Sequence, residues 1–301
     1  MTTIAITGFA SLDHVAVLDG SPQAGRTTTI LHRPEDAWPR LGGGPAFVAM
    51  ALVADGVAQA VPVSWIGDDA AGTAYRDQLA ARGVPGRGLD AVAGARTPVS
   101  VLAYEPDGGC ICLYDPGIPP GLTLSPAQRE LVGTADWVCV TIGPAAVNDA
   151  VLDAIRPDTR LAWIVKHDPR AMSVAQAARF AARADLICFS HAEAAFVQQA
   201  LTEADAARPG QTLIETRGGA GAAITRDGQS VTVSAEPISV TDPTGAGDSF
   251  AGGVLAALAK GETDLAAVVR SGHAAARRLL LGRQTSENAR QTSENESALR
   301  E

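Results

Sequence analysis

A short glycine-rich stretch near the C-terminal end holds the residues best suited to chemistry. Gly245-Ala246-Gly247 is followed directly by an acid, Asp248. Glycines let a backbone approach a ligand closely, and a helix that begins here adds partial positive charge, so the N–H groups of Gly245, Ala246 and Gly247 can hold a phosphoryl group. A carboxylate beside such a cradle would repel an anion unless it takes a proton from an attacking hydroxyl. The pattern favours phosphoryl transfer to an alcohol, with Asp248 as general base.

Two predicted elements position this stretch. A β-prone run from Ser230 to Val240 leads into it. Apolar residues at helical spacing follow it, which predicts a helix that begins near Gly245. An ordinary glycine-rich turn with an acidic helix start would also fit the four residues alone. The apolar residues that predict the helix are Phe250, Val254, Leu255 and Leu258.

Composition limits the classes of protein that fit. The chain has 301 residues, 46% of them hydrophobic and 19% charged, which suits one large α/β domain or two ordinary ones. The net charge is −9 and there is no basic block, so we expect no nucleic-acid partner. No apolar run approaches the ~18 residues of a membrane span, and the first residues lack the basic start of a signal peptide. A cytoplasmic enzyme is the expectation.

Several enzyme classes are excluded by missing motifs. Neither of the two lysines, Lys166 and Lys260, lies in the Gly-Lys-Ser/Thr sequence that a P-loop kinase requires. The first predicted strand is followed by Gly8-Phe9-Ala10-Ser11, which is not the glycine pattern of a dinucleotide-dependent oxidoreductase. The four cysteines show no metal-ligand spacing and are expected to be reduced and mostly buried.

From Ala135 onward, strand-like and helix-like segments alternate, which predicts a parallel sheet with helices on both faces. Ligands of such sheets bind beyond the C-terminal strand ends. The predicted strands are 137–140, 161–165, 186–189 and 212–215, and the predicted helices are 147–155, 173–182 and 192–201.

The string from Val240 to Phe250 resembles the C-terminal signature of the ribokinase-like (PfkB) family of carbohydrate and nucleoside kinases. Ile66-Gly67-Asp68-Asp69 is similar to the family's V-G-D-D turn, and Asp68 or Asp69 should cap the helix after it. The resemblance covers residues 4 to 282. It implies an α/β fold with a central, mostly parallel sheet flanked by helices, and a small β lid from about 13–41 and 97–115. It also implies an ATP-dependent kinase that requires Mg²⁺.

The resemblance places the alcohol substrate near the N-terminal third of the chain. Asp13 matches the family's aspartate that binds substrate hydroxyls, and Gly42-Gly43-Gly44 matches a turn whose backbone lies against the substrate. Family members usually have asparagine where this chain has Phe47, so ribose is a doubtful substrate. Phe47 is either an apolar wall of the substrate pocket or part of the core.

The nucleotide side is expected near two later turns. Ser190-His191-Ala192-Glu193 resembles the family's N-x-x-E motif, whose glutamate orients Mg²⁺ through water; here serine replaces asparagine. Ser190 then keeps a weaker role, and the alternative for Glu193 is a helix-start glutamate favoured by the dipole. The remaining residues expected to contact ATP are Thr216, Arg217, Gly218, Gly221, Gly247 and His273.

Two features near the C-terminus leave alternatives open. Family members that bind a monovalent cation use residues matching Asp242 and Thr244, but the rest of that site has no recognisable match, so activation by K⁺ is an option only. Residues 1–282 are assigned to the kinase domain. Residues 283–301 are assigned to a polar tail, because Arg-Gln-Thr-Ser-Glu-Asn occurs twice there without an apolar face; it is either frayed helix or disordered.

The sequence therefore predicts an ATP-dependent kinase for a small molecule, most simply a sugar or polyol. The alternatives are a nucleoside kinase of the same family and a ligand-binding homologue without catalysis. The lid is expected to join two copies in a homodimer, since edge strands seek partners.

Overall fold

The computed structural model describes residues 2–33, 38–205, 208–239 and 242–298, with side chains through Arg283. Val240 and Thr241, which begin the predicted signature, and residues 34–37 of the predicted lid lie outside the described residues. In chain order the described strands are β1 (Thr3–Thr7), β2 (Ser11–Leu18), β3 (Ile30–His32), β4 (Arg40–Gly42), β5 (Gln59–Gly67), β6 (Leu89–Val92), β7 (Val99–Tyr104), β8 (Cys110–Asp115), β9 (Trp137–Val140), β10 (Arg160–Ile164), β11 (Leu186–Ser190), β12 (Thr212–Thr216), β13 (Ala222–Arg226) and β14 (Gln229–Val233). The α-helices are α1 (Gly44–Ala54), α2 (Ala70–Ala81), α3 (Pro126–Thr134), α4 (Ala145–Ala154), α5 (Val174–Arg183), α6 (Ala194–Glu203), α7 (Ala246–Ala259) and α8 (Leu265–Ala298).

Nine of the described strands form one large sheet in the order β14-β13-β12-β11-β10-β9-β1-β5-β6. Neighbours from β12 to β6 run parallel, and β13 and β14 are added antiparallel at the other end. This arrangement confirms the predicted mostly parallel sheet. The four predicted strands and three predicted helices of the second half are all present, each with ends close to those expected.

Helices cover both faces of the large sheet. Ile4 and Ile6 of β1 belong to a core cluster with α1, α7 and α8, whereas Ala5 belongs to a second cluster with residues of α3 to α6. Successive side chains of a strand point to opposite faces, so a strand buried on both faces reads as a continuous apolar run. This is why the sequence of β1 does not alternate.

Two glycines allow α7 to pack closely against both α1 and α8. A Cβ on Gly252 would lie 2.8 Å from the Val48 carbonyl oxygen of α1, and one on Gly253 would lie 2.7 Å from the Ala275 Cβ of α8. The three helices therefore pack at a distance that larger residues would prevent. Because α7 is fixed from both sides, its first turn, which carries Asp248, is fixed as well.

A second, smaller sheet forms the lid. Its strand order is β3-β2-β7-β8, and β4 pairs with β2. The Pro106-Asp107-Gly108-Gly109 turn joins the antiparallel strands β7 and β8 into a hairpin. Among the described residues, no helix has the length and apolar character to cross a membrane.

The predicted boundary at residue 282 falls inside α8, whose backbone continues as helix through Ala298. The backbone of the repeat therefore continues the last helix and does not form an irregular tail. The assignment of residues 283–301 to a separate tail stays a prediction.

Candidate active site

The candidate residues meet where the C-terminal strand ends of the large sheet face the lid. Ser190 and Thr216 are register partners at the ends of β11 and β12. Asp13 lies in β2 of the lid, and Asp248 lies in the first turn of α7. The charges of Asp13 and Glu193 both act on the pKa of Asp248, so these two carboxylates, from distant parts of the chain, lie within electrostatic reach of Asp248.

The pKa of the Asp248 carboxyl is raised well above its ordinary value. Burial, together with the charges of Glu193 and Asp13 and against the opposing charge of Lys166, raises the pKa of this carboxyl to about 6. A carboxylate with such a pKa is mostly ionised at neutral pH yet more basic than an exposed aspartate. General-base catalysis works best when the pKa of the base approaches the working pH.

The turn before α7 presents backbone N–H groups. Gly245 adopts a left-handed conformation with φ 75° and caps the helix. The Ala246 N–H donates to the Pro243 carbonyl at 3.0 Å, so it is engaged inside the turn, unlike the expectation for this residue. The N–H groups of Gly245, Gly247 and Asp248 have no acceptor among the described residues. These three are therefore the available donors for a phosphoryl group.

Phe47 lies directly beneath this turn. A Cβ on Gly245 would lie 2.6 Å from its ring atoms, and the ring is only 3% exposed. Of the two alternatives for Phe47, this burial favours the core over an apolar wall of the substrate pocket, because almost none of the residue is accessible to solvent. The packing explains why Gly245 needs both its left-handed conformation and its missing side chain.

The substrate-side aspartate is packed against the triple-glycine turn. Asp13 is 3% exposed and accepts a hydrogen bond from the Ser11 hydroxyl at 2.6 Å. Burial raises its pKa, although Ser11 and the Arg40 charge lower it. A Cβ on Gly42 would overlap the Asp13 carboxylate, and one on Gly44 would lie 2.8 Å from the Thr141 side chain. The glycines are thus required by contacts within the protein itself.

Asp242 is surrounded by donors. Its carboxylate accepts the Thr244 N–H at 3.0 Å and pairs with the guanidinium groups of Arg40 and of Arg283, the latter at 3.3 Å. Burial opposes ionisation, but the charges of Arg283 and Arg40 hold the pKa of Asp242 below its ordinary value. The Tyr104 hydroxyl lies 2.8 Å from that of Thr244, which ties lid strand β7 to the same turn.

Glu193 closes a capping box with Ser190. Its Oε2 accepts the Ser190 N–H at 2.8 Å and the Ser190 hydroxyl at 2.9 Å, while Oε1 accepts the His167 N–H at 3.3 Å. Within the described part of the chain, no cluster of three or more His, Cys, Asp or Glu side chains could hold a metal ion. Mg²⁺ is usually bound through one or two carboxylates, waters and substrate phosphates, and a single Glu193 at the strand ends fits that form of binding.

The turn after β12 offers a second set of donors. Gly218, at φ 56°, begins a short 3₁₀ turn, which the Arg217 N–H closes by donating to the Gly221 carbonyl at 2.8 Å. The N–H groups of Gly218 and Gly219 find no acceptor among the described residues. The Arg217 guanidinium is held by Glu215 at 2.5 Å, and the Thr216 hydroxyl donates to the Phe189 carbonyl at 3.3 Å. The backbone here, more than the side chains, is available to a nucleotide.

His273 lies on α8, with its ring centroid 5.4 Å from that of Phe250. Burial lowers the pKa of the imidazole, which favours its neutral form. A ring packed on an aromatic one is compatible with simple helix packing as well as with the predicted contact to ATP.

Some features of the site were not predicted. Lys166, two residues beyond β10, lowers the pKa values of Asp248 and of Cys110 and Cys112 in the lid, so its charge acts on both parts of the fold. Those two cysteines are exposed, whereas the expectation was for mostly buried ones; the other two are buried. The presence of only two lysines in the chain was the signal that could have pointed to Lys166.

A comparison with protein families gives a match over nearly the whole chain. The family model described as "pfkB family carbohydrate kinase" matches residues 1–292. The chain belongs to the pfkB family of carbohydrate kinases. The family predicted from the signature around Asp248 is thereby confirmed.

Solved structures of this family have the same fold. Ribokinase from Thermotoga maritima is 18% identical to this chain with a TM-score of 0.75, and the match covers 95% of this chain and 96% of that chain. The Methanocaldococcus jannaschii nucleoside kinase is 20% identical with a TM-score of 0.74, over 93% of this chain and 92% of that chain. Ribokinase from Cryptococcus neoformans, solved with ADP, is 22% identical with a TM-score of 0.74, over 92% and 93%. At these identities the likeness concerns the fold.

Membership of the pfkB family and the shared fold support a kinase for a sugar or a nucleoside. Of the predicted substrate-side and nucleotide-side residues, Asp13 and Glu193 both act electrostatically on Asp248. The exceptions to the predicted roles are the buried ring of Phe47 and the engaged N–H of Ala246.

Proposed function

We propose that this protein transfers the γ-phosphoryl group of ATP to a hydroxyl of a sugar or sugar-like substrate, with Asp248 as the general base. The observation that carries the proposal is the pairing of two features in one helical turn. A carboxyl with a pKa of about 6 lies next to backbone N–H groups that have no acceptor among the described residues. A base beside an anion cradle suits the attack of an alcohol on a phosphate.

In the proposed reaction the Asp248 carboxylate accepts the proton of the substrate hydroxyl. The hydroxyl oxygen forms a bond to the γ-phosphorus, the bond from that phosphorus to the bridging oxygen breaks, and ADP leaves with the electron pair. The N–H groups of Gly245, Gly247 and Asp248, together with the positive end of the α7 dipole, stabilise the charge on the transferred group. When bound, Mg²⁺ would neutralise phosphate charge, held by Glu193 through water.

Asp13 is proposed to bind substrate hydroxyls. Its carboxylate belongs to the lid, and its charge acts on the pKa of Asp248, the proposed base. A carboxylate can accept two hydrogen bonds from neighbouring hydroxyls of a sugar or polyol. Nucleotide contacts are assigned to the backbone of the Gly218 turn, with Ser190 and Thr216 beside it at the strand ends.

A nucleoside is the second candidate substrate, favoured by one row of lid residues. Asp13 of β2 pairs with Ser100 of β7, and Ser100 pairs with Tyr114 of β8, so the three side chains share one face. The Tyr114 ring is 41% exposed and lies 5.8 Å from that of Phe9. An aromatic face beside a hydroxyl-binding carboxylate could stack on a nucleobase while Asp13 binds the ribose.

The opposite face of the lid is proposed as a dimer surface. Val101 pairs with Leu113 and Ala103 pairs with Ile111, so these residues share the face that does not carry Asp13. Leu113 is 63% exposed, and β8 lies at the edge of the described sheet. An exposed apolar patch on an edge strand is typical of a protein interface. A homodimer in the cytoplasm is the proposed form of the enzyme.

The deciding experiment measures ADP formation with ATP and Mg²⁺ against sugars, polyols, sugar acids and nucleosides. The proposal expects one class to stimulate ADP formation, with a phosphorylated product that mass spectrometry detects. Preference for nucleosides that is lost in Tyr114→Ala and kept in Tyr114→Phe would select the second candidate. Binding of a panel compound without any phosphorylated product would contradict both and favour a non-catalytic homologue.

A further inference from the structure

The donors around Asp242 come from three separate parts of the fold. Arg40 lies in lid strand β4, Thr244 lies in the turn before α7, and Arg283 lies on α8. Arg283 also donates to the main-chain carbonyl of Asp242 at 3.1 Å. Asp242 itself is 8% exposed. The residue therefore connects the lid, the catalytic turn and the last helix.

The Arg283 guanidinium has contacts beyond the ion pair, and Arg40 is positioned through the backbone of its strand. Arg283 lies with its Cζ 5.8 Å from the centroid of the Phe47 ring, the ring that supports Gly245. Arg40 pairs with Asp13 in the register of β2 and β4. The side chains of Arg40 and Arg283 are 13% and 17% exposed. Two buried positive groups thus converge on one buried carboxylate.

These contacts leave a poor fit for a monovalent cation at Asp242. Oδ1 already accepts the Thr244 N–H, and Oδ2 already faces both arginines. The Thr244 hydroxyl is engaged with Tyr104. A metal ion placed at the same carboxylate would have to approach two guanidinium groups of like charge. Asp242 and Thr244, with the partners they have here, therefore do not fit the K⁺ site that the family resemblance allowed.

We infer that Arg40 and Arg283 take the place of a bound monovalent cation, so that this chain holds its catalytic turn with its own side chains and needs no potassium. Both are positioning residues: they neutralise Asp242, whose Oδ1 fixes the Thr244 N–H and thus the backbone that leads into Gly245. The expected effect on kcat rests on the proposed phosphoryl transfer. The expected effect on stability does not.

The test compares wild type, Arg283→Ala and Arg283→Lys in KCl and in tetramethylammonium chloride at one ionic strength. Wild type should turn over equally in both salts. Arg283→Ala should lose about tenfold in kcat in tetramethylammonium, as expected when a positioning partner is removed, and should recover part of it with K⁺ or millimolar guanidinium. Arg283→Lys, which keeps the charge, should retain most of the activity. The control is Arg278→Ala, on the same helix but paired with Asp55 at 2.7 Å, which should respond to neither ion.

Three results would overturn the inference: a wild-type enzyme that requires K⁺, an Arg283→Ala variant with unchanged kcat, or a loss that neither ion restores. A melting experiment without substrate separates this inference from the proposed activity. K⁺ should raise the Tm of Arg283→Ala relative to tetramethylammonium and leave wild type and Arg278→Ala unchanged. A rise in wild type as well would mean that Asp242 binds the ion with both arginines in place.

Discussion

The ring of Phe47 supports the backbone of Gly245, with 2.6 Å between its atoms and the place a Cβ would take on that glycine. Phe47 belongs to α1 and Gly245 caps α7, so the contact fixes the catalytic turn on the helix that follows the substrate-side glycines. A residue that departs from the family pattern thus packs beneath the turn that is proposed to bind the transferred phosphoryl group.

Phe47→Asn tests this role. Burying an amide without partners and leaving a void should lower the free energy of unfolding by ~3 kcal/mol, with loss of kcat, because the turn loses its support. The order of preference among substrates should stay the same. Phe47→Leu is the matched control and should cost about 1 kcal/mol. Urea unfolding and kcat/KM across the substrate panel provide the measurements; a changed substrate order with unchanged stability would return Phe47 to the substrate pocket.

The pH dependence of kcat/KM should report the charges around Asp248. The base must be ionised, so activity should fall as the pH drops through about 6. Lys166→Met removes a charge that lowers the pKa of Asp248, so the acid limb should move to higher pH by roughly one unit. Glu193→Gln removes a charge that raises that pKa, so the limb should move to lower pH, alongside a loss of rate.

Lys260→Met is the control for this series, because the Lys260 ammonium donates to the Asp55 carbonyl at 2.5 Å on another part of the surface. Its acid limb should coincide with that of wild type. Shifts of the same sign in Lys166→Met and Glu193→Gln would show that the limb does not belong to Asp248.

Two truncations should separate Arg283 from the polar repeat that follows it. A chain that ends at Asn288 keeps Arg283 and should match wild type in Tm and kcat, since the repeat has no apolar face to pack. A chain that ends at Gly282 removes the contacts of Arg283 with Asp242 and should lose activity. Equal behaviour of the two chains would argue against a role for Arg283.

The proposed dimer surface is tested by Leu113→Glu. A charge in the middle of an apolar interface should shift the protein from dimer to monomer in light scattering after size-exclusion chromatography. Gln198→Glu, on an exposed position of α6, adds the same charge away from the lid and should leave the mass unchanged. A wild-type monomer at micromolar concentration would refute the surface outright.

The elements of the large sheet were predictable because their signals are local. Apolar runs such as Trp137–Val140 and the cap Asp69, which accepts the Gly72 N–H at 2.8 Å, need only a few neighbouring residues to be recognised. The turn at Gly245 and the family also followed from one contiguous string.

The contacts within the site were less predictable because they join distant parts of the chain. Asp242 belongs to the signature, but Arg40 and Arg283 carry no motif, and only the folded chain brings their charges to it. The use of the Ala246 N–H inside its own turn depends on the local backbone conformation, which the residue types did not specify.

The most direct test of the proposed chemistry is the turnover of Asp248→Asn. The amide is nearly isosteric but cannot accept the substrate proton, so kcat should fall by ~10² to 10⁴-fold. Tm and ATP affinity, measured on the same preparation, should stay close to wild type, and Asp149→Asn, an exposed aspartate paired with Arg179, should be fully active. A variant that folds, binds ATP and keeps more than about a tenth of the wild-type kcat would contradict the assignment of Asp248 as the base.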